Sequence, residues 1–565
     1  MLKTLFSIFK KENTPTRALD VASTKGNTAH QSGSPQANSV PQPFTREQID
    51  ELFTRAGQSL DRGDTVTALD MYLTVLKHVP DFEKAHVMAG FLYQQRGNLT
   101  QAKHHLQTAL SLNPQLADAH YLLGVIASAE GQRDVLRHNY RASLKLSPHQ
   151  EHIYLALAFD LHQTQELDAS ISVAKEGLLC FPNSKPLWAS LGNFYYLQKD
   201  MLAAHDAYVQ ARQEDNLDLG LEYNYAMVLS ILGQPMNAME ALDRIIKRDP
   251  QHVMAHFQRG VLSLQCGQFK EGWQEFEWRW QMPALREVRF KSARERWDGS
   301  QDLRDKTILV LSEQGYGDTI QFCRFIPELA SRGAQVIFVV LGPLKELMVQ
   351  IPSVAILLDE TAPLPEYDYY CELMSLPRAL GIELGDIPNQ PSYLAAPVTS
   401  VQKWKGILGA TDRMRVGFVW SGNPQHANDA YRSIPLTEAR AAFAFDAEFI
   451  VLVKDLNPDA KADLDSVPQV RHFGAQVGGF ADTAALIDQV DVVLTVDTSV
   501  AHLAGAMGKR TYVLLSYHAD WRWLLEREDS PWYPSVTLVR QGFGQPWSAV
   551  IDHTCAEILK LPRLH

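Results

Sequence analysis

EKAHVMAGFLYQQRGNLTQAKHHLQTALSLNP, Glu83–Pro114, is followed two residues later by ADAHYLLGVIASAEGQRDVLRHNYRASLKLSP, Ala117–Pro148, and the two segments run in step. Each has glycine at its eighth position (Gly90, Gly124), a bulky residue at its twenty-fourth (Leu106, Tyr140) and proline at its end. Extended along the chain, the period of 34 gives starts at 49, 83, 117, 151, 185 and 219, with a partial copy from 253. Pro80, Pro114, Pro148, Pro182 and Pro250 close units, and Asn216 fills the one missing slot. The eighth position is always small: Ala56, Gly90, Gly124, Ala158, Gly192, Ala226 and Gly260. Small residues recur at the twentieth position, as in Ala68, Ala102, Ala204 and Ala238. The twenty-fourth carries Tyr72, Leu106, Tyr140, Ala174, Tyr208, Leu242 and Phe276, mostly bulky. Small residues at a crossing and large ones between crossings predict one helical hairpin per unit.

The period, the small crossing residues and the closing proline resemble the tetratricopeptide repeat. That resemblance implies an all-α solenoid, stabilised by stacking because no single hairpin buries its apolar face, with a concave surface suited to a protein segment. A spacer or dimerisation arm is the plainer alternative.

At 565 residues the chain exceeds one hydrophobic core. Its formal charge of −12 disfavours nucleic acid as a partner, because an acidic surface repels phosphate backbones. Five scattered cysteines, Cys180, Cys266, Cys323, Cys371 and Cys555, lie at no metal-ligand or redox spacing, which fits a reducing cytoplasm. No run approaches the roughly 20 apolar residues of a transmembrane helix. Met1–Lys11 lacks a convincing signal-peptide core; it reads as a frayed terminus or a small amphipathic surface helix. Residues 12–44, rich in Ser, Thr, Asn, Gln, Pro and Gly, read as flexible leader.

Beyond WQEFEWRW (Trp273–Trp280) the pattern changes. TILVLS (Thr307–Ser312), QVIFVV (Gln335–Val340), VAILL (Val354–Leu358), RVGFVW (Arg415–Trp420), EFIVLV (Glu448–Val453), VDVVLTV (Val490–Val496) and TYVLLS (Thr511–Ser516) alternate with helical segments. Short apolar strands separated by helices predict parallel sheets, here two Rossmann-like lobes. The expected organisation is multidomain: leader 1–44, repeat solenoid 45–285, α/β lobe 286–398, linker 399–411 and α/β lobe 412–565.

Ligands of open parallel sheets bind beyond the carboxyl ends of strands. After the first strand comes SEQGYGDTIQF, Ser312–Phe322, where Gly315 and Gly317 permit a tight turn and Asp318 opens a helix. Asp318 is either a helix cap or a general base, and spacing alone favours the cap. In VGFVWSGNPQHANDAYRSIPL, Val416–Leu436, the polar loop offers Asn423; Ser433 reads as an N-cap, and Arg432 beside it could clamp a diphosphate. In VLTVDTSVAHLAGAMGK, Val493–Lys509, a strand runs into the polar turn Asp497–Thr498–Ser499 and an Ala-rich helix bearing His502. These residues could face a ligand, or His502 could be a structural core histidine. Lys454, in LVKDLNPD, could reach a nucleotide, though a solvated loop fits equally. Tyr517–Pro534, rich in Trp and Tyr, reads as interface or pocket wall without a catalytic role.

The block from Leu309 to about Trp547 is similar to the GT-B domain of heptosyltransferases and, more distantly, of protein O-GlcNAc transferases. The family's glycine-glycine-aspartate turn maps onto Gly315, Gly317 and Asp318, which implies that Asp318 is the catalytic base. Its phosphate-binding basic residue maps onto Arg432, with arginine for lysine and no tryptophan in Ser433–Ile434–Pro435. Its donor-site turn maps onto Asp497–Thr498–Ser499–Val500–Ala501–His502, with the glycine lost. The resemblance implies an inverting, metal-independent transferase that needs no cofactor and moves sugar from a nucleotide-sugar to a Ser or Thr hydroxyl. Among repeat-plus-transferase proteins the flagellin glycosyltransferases look closest, which implies flagellin as acceptor, captured in the cytoplasm. The contrasting expectation is a non-catalytic scaffold with a degenerate transferase domain.

Overall fold

The computed structural model describes residues 44–212, 218–425 and 428–562. Residues 1–43, including the Met1–Lys11 run and nearly all of the expected leader, lie outside the described residues, as does Asn216. The chain forms two compact units that divide between Val228 and Leu229.

In the first unit helices pair as Arg46–Asp61 with Thr65–His78, Glu83–Gln95 with Leu99–Leu112, Ala117–Ala129 with Arg133–Leu146, Glu151–Gln163 with Leu167–Cys180, and Lys185–Gln198 with Met201–Ala211. The reason for the repeated glycine is steric. A Cβ on Gly90 would fall 2.6 Å from Leu106, on Gly124 2.4 Å from Tyr140, and on Gly192 2.6 Å from Tyr208. The eighth and twenty-fourth positions of one hairpin are thus direct packing partners. Asp64, Asn98 and Asp200 cap second helices by accepting backbone N–H bonds. The closing proline carbonyl is satisfied by a ring N–H six residues on: His86 on Pro80 (2.9 Å), His120 on Pro114 (3.3 Å) and Trp188 on Pro182 (2.8 Å). At these three junctions the bond ties one repeat to the next and pairs a carbonyl that no helix can use.

The second unit contains helices Pro235–Arg248, Val253–Gln265 and Phe269–Phe276 and two sheets. Sheet one comprises β1 (Glu295–Arg296), β2 (Thr307–Leu311), β3 (Gln335–Val340), β4 (Val354–Asp359) and β5 (Tyr369–Glu372), in the order β1-β5-β2-β3-β4. Sheet two comprises β6 (Met414–Val419), β7 (Ala447–Val451), β8 (Val470–His472), β9 (Val492–Val496), β10 (Thr511–Leu515) and β11 (Val536–Arg540), in the order β11-β10-β9-β6-β7-β8. Every ladder is parallel. Strand order reverses between β2 and β5 in one sheet and between β6 and β9 in the other. These reversals are the switch points where crevices open at strand carboxyl ends.

One boundary differs from expectation. The unit holding both lobes begins at Leu229, not 286, because the last repeat helices belong to its core. Phe269, Trp273 and Phe276 are buried in one cluster with strand residues such as Ile308 and Val416. The Trp273 indole N–H donates to the Ile382 carbonyl (3.1 Å). The stretch between the lobes, read from sequence as linker and helix with the linker at 399–411, is mostly the helix Val398–Leu408, docked on the second lobe through buried Trp404, whose Nε1 donates to Asp482 (2.6 Å). Strands β1, β5, β8 and β11 escape a reading based on apolar runs, since several are short or carry charged residues.

Candidate functional site

The loops at the two switch points converge. After β2, Gly315 precedes the helix Tyr316–Phe322 and Asp318 stands at its third position, where its Oδ2 accepts the Gly315 N–H (2.8 Å). After β9, Thr498 caps the helix Ser499–Ala506. The two helices cross so closely that a Cβ on Gly317 would lie 2.9 Å from His502 Cδ2 and 3.5 Å from Ser499 Cα. Gly317 therefore admits the neighbouring helix rather than a turn.

Arg522, in the loop after β10, joins the lobes. Its Nη2 donates to Asp318 Oδ1, its Nε to Gln321 Oε1 (2.7 Å) and its Nη1 to Asp520 Oδ1 (2.9 Å). Next to it Trp523 stacks on His502, centroids 5.4 Å apart and planes 12° apart. His502 Nδ1 lies 2.9 Å from the Tyr533 hydroxyl, and its Nε2 lies 3.9 Å from Asp497 Oδ1. Arg432 Nη1 donates to the Asp497 carbonyl (3.2 Å) and its Nε to Asp429 Oδ1 (3.2 Å). A Cβ on Gly422 would strike the Arg432 guanidinium at 2.5 Å, so glycine there makes room for this arginine.

Burial, reinforced by the charge of Asp520, pushes the Asp497 carboxyl up to about 7, an effect that Arg522 and Arg432 only partly offset. Its side chain still keeps 17% of its surface exposed, so a ligand can reach it. Burial, with Arg522, Arg324 and Arg432 nearby, holds His502 well below the usual imidazole range, and the ring is neutral. Among the described residues the Trp523 indole N–H, near enough to Asp497 to favour its anion, meets no acceptor at hydrogen-bonding geometry, and Gln321 Nε2 is likewise unpartnered and buried. Donors without acceptors beside two guanidinium groups and a neutral imidazole suit an anionic, oxygen-rich ligand.

Of the residues expected from sequence, Gly315, Gly317, Asp318, Arg432, Asp497, Thr498, Ser499 and His502 come together here. Ser433 is not an N-cap: it is the C-cap of the short helix Asp429–Arg432, and Pro435 stands before Leu436–Ala439. Its hydroxyl instead accepts the Gly422 N–H (2.9 Å) and donates to Asp429 (2.8 Å), holding the loop that bears Arg432. Asn423 is exposed and accepts the Gln425 N–H (3.0 Å); Lys454 is exposed just past β7. The structure brings neither of them into the Arg522 cluster. Asp520, Arg522 and Trp523 fall within Tyr517–Pro534, the stretch read from sequence as interface or pocket wall, but none was singled out there, and Gln321 was missed. The available signal was position, since Asp520 and Arg522 follow the carboxyl end of β10. An open depression lined by Gln301, Arg304, Arg332 and Gly333 lies before β2 and β3, at their amino ends, away from the convergent loops.

Residues 90–129 match the tetratricopeptide (TPR) repeat family. Protein FlbA of Caulobacter vibrioides is 25% identical over 438 residues, covering 69% of this chain and 69% of FlbA. Among solved structures, Pseudomonas aeruginosa pilF is 14% identical and covers 36% of this chain and 93% of its own, at a TM-score of 0.32. YrrB, a TPR protein with an unusual peptide-binding site, is 14% identical and covers 33% of this chain and 97% of its own, at a TM-score of 0.31. Scores at this level add nothing to the site. The N-terminal part of the chain is an all-helical, TPR-like array, FlbA is a distant relative, and the C-terminal part carries two parallel sheets with α/β content, consistent with a two-lobed domain.

Proposed function

We propose that the chain is a metal-independent, inverting glycosyltransferase of GT-B type that moves a sugar from a nucleotide-sugar to a protein Ser or Thr hydroxyl, in the cytoplasm. The supporting observation is the convergence of Asp318 from lobe one with Asp497, His502 and Arg432 from lobe two around Arg522. In this reading the acceptor oxygen attacks the anomeric carbon as the bond to the diphosphate breaks, and the diphosphate leaves with the electron pair. Asp318 takes the acceptor proton. Arg432, Arg522 and the N–H groups at Thr498–Val500 offset the charge on the leaving diphosphate, where preorganised donors are most effective. The repeats hold the acceptor protein, and the resemblance to flagellin glycosyltransferases nominates flagellin.

The decisive experiment is Asp318→Asn, which keeps the side-chain shape and one oxygen to accept the Gly315 N–H, but removes the base and the anion that pairs with Arg522. Transfer should fall about 10²- to 10⁴-fold with nucleotide affinity retained. Transfer at the wild-type rate in this variant rejects Asp318 as base.

One observation favours a non-catalytic scaffold: both Asp318 oxygens are already engaged, by Arg522 and by the Gly315 N–H. A carboxylate oxygen has a second lone pair for the acceptor hydroxyl, so the pairing is compatible with either reading. Thermal-shift titration with UDP, GDP, CMP and ADP separates them, because a ligand that binds only the folded state raises the melting temperature. Silence across all four supports the scaffold.

A further inference from the structure

Beneath the turn that carries Asp318 lies a second set of charges with no place in the transfer chemistry. Arg279, in the helical turn Glu277–Gln281 that follows the last repeat helix, has a fully buried side chain. Its Nη2 donates to Glu313 Oε1 (2.9 Å) and to Ser375 Oγ (2.7 Å), its Nε to Glu313 Oε2 (3.3 Å), and its Nη1 to Glu277 Oε1 (2.7 Å). Glu313 Oε1 also accepts the Met374 N–H (3.0 Å), and Ser375 donates to Glu277 (2.6 Å). Every nitrogen of the guanidinium is thus used in one fixed fork, which a lysine cannot reproduce.

The position of Glu313 gives this network its consequence. It is the second residue after β2, and the next residue, Gln314, has φ +62°, a left-handed conformation unusual for a side chain other than Gly or Asn. Such a residue persists where its neighbours over-determine it. On one side Glu313 is clamped by Arg279; on the other, Gly315 is clamped by Asp318. The clamp is anchored from the repeat side, because Trp273 and Phe276, just before Arg279, are buried in the α/β core.

We propose that Arg279 is a positioning residue: through Glu313 it fixes the Gln314–Asp318 turn, and with it the placement of the Asp318 carboxylate. The effect on turnover rests on the transfer reaction proposed above; the effect on the turn does not. Charge is uneven across the clamp. Burial pushes the Glu313 carboxyl up, an effect that Arg279 offsets only in part, whereas at Glu277 Arg279 and Arg296 outweigh burial and bring the carboxyl down to about 2, so the guanidinium faces one firmly ionised partner and is held to Glu313 by the geometry of the fork.

The test uses the full-length chain and two variants, Arg279→Lys, which keeps the charge and loses the fork, and Glu313→Gln, which keeps the shape and loses the charge. Hydrogen–deuterium exchange is followed over residues 313–319, and nucleotide affinity is measured by calorimetry. In both variants exchange in that segment should rise at least about tenfold while residues 499–506 exchange as in the wild type, since the clamp acts on one loop. Turnover should fall about 10- to 100-fold with donor KM and nucleotide Kd unchanged, as displacement of a reacting group by about 1 Å produces. Unchanged exchange in 313–319 overturns the proposal whatever the catalytic state of the wild type, as does raised exchange with undiminished turnover in an active enzyme. Failure of both variants to fold also overturns it, in favour of a purely structural network. If the wild type transfers no sugar, raised exchange upholds the clamp while the transferase reading fails.

Discussion

Replacing Asp497 with asparagine tests the electrostatics of the candidate site. The wild-type carboxyl is held at about 7 in the fold, against 3.8 for the free group. The folded state therefore binds this proton more tightly than the unfolded chain. The stability linked to it is complete below pH 4, declines as pH rises from about 4 to 7, and is gone above. A displacement of about three pH units corresponds to at most about 4 kcal/mol at pH 8. The asparagine side chain cannot ionise, so the Asp497→Asn variant should match the wild type near pH 4 and exceed it by up to that amount at pH 8. For a unit of this size that is roughly 5 °C in melting temperature. The same proton should govern ligand affinity, because an ionised Asp497 repels phosphate. Nucleotide Kd for the wild type should rise by up to about tenfold per pH unit above 7, and that rise should disappear in Asp497→Asn. The assay is paired thermal melts and calorimetric titrations from about pH 5 to 8.5. Parallel curves for the two proteins would refute the reasoning.

Further outcomes follow from the geometry. Arg432→Ala removes a guanidinium poised beside Asp497, and nucleotide binding by calorimetry should weaken by about 1.5–3 kcal/mol; unchanged affinity removes Arg432 from the site. Gly317→Ala drives a methyl to 2.9 Å from His502, a ring held by Trp523 and Tyr533, and should destabilise the α/β unit by about 1–3 kcal/mol in denaturant titration. A fragment starting at residue 286 loses buried Phe269, Trp273 and Phe276, each stabilising by about 1.5–3 kcal/mol, and strands the buried Glu313 carboxyl without Arg279. It should be insoluble or molten by near-ultraviolet circular dichroism, whereas a fragment from residue 232 should give a folded spectrum. A folded 286–565 fragment would show that the last repeat helices and the lobes are independent after all.

Local rules governed much of this protein. The 34-residue period, the small eighth position and the large twenty-fourth determined the hairpins, because each involves residues of a single repeat and sterics at one helix crossing. Apolar runs marked most central strands, and the glycines and polar residues that follow them marked loops of which those bearing Asp318, Arg432 and Asp497 converge, since a buried parallel strand must end where the chain turns polar. Ser433 misleads a local reading because Ser, Pro and an apolar residue imitate a helix start, while the tertiary contact with Gly422 sets its actual role. Arg522 carries no local signal. It lies between two tryptophans, and its three acceptors come from residues 318, 321 and 520, two of them about 200 positions away in the other lobe. The domain boundary is another such case, for periodicity records how Phe269–Phe276 forms a helix and is silent on what that helix packs against. Local propensity and pattern reside in neighbouring residues and are written in the sequence. Charge pairing, burial and the placement of Asp318 arise when distant segments leave water together, and only the folded chain decides which ones meet.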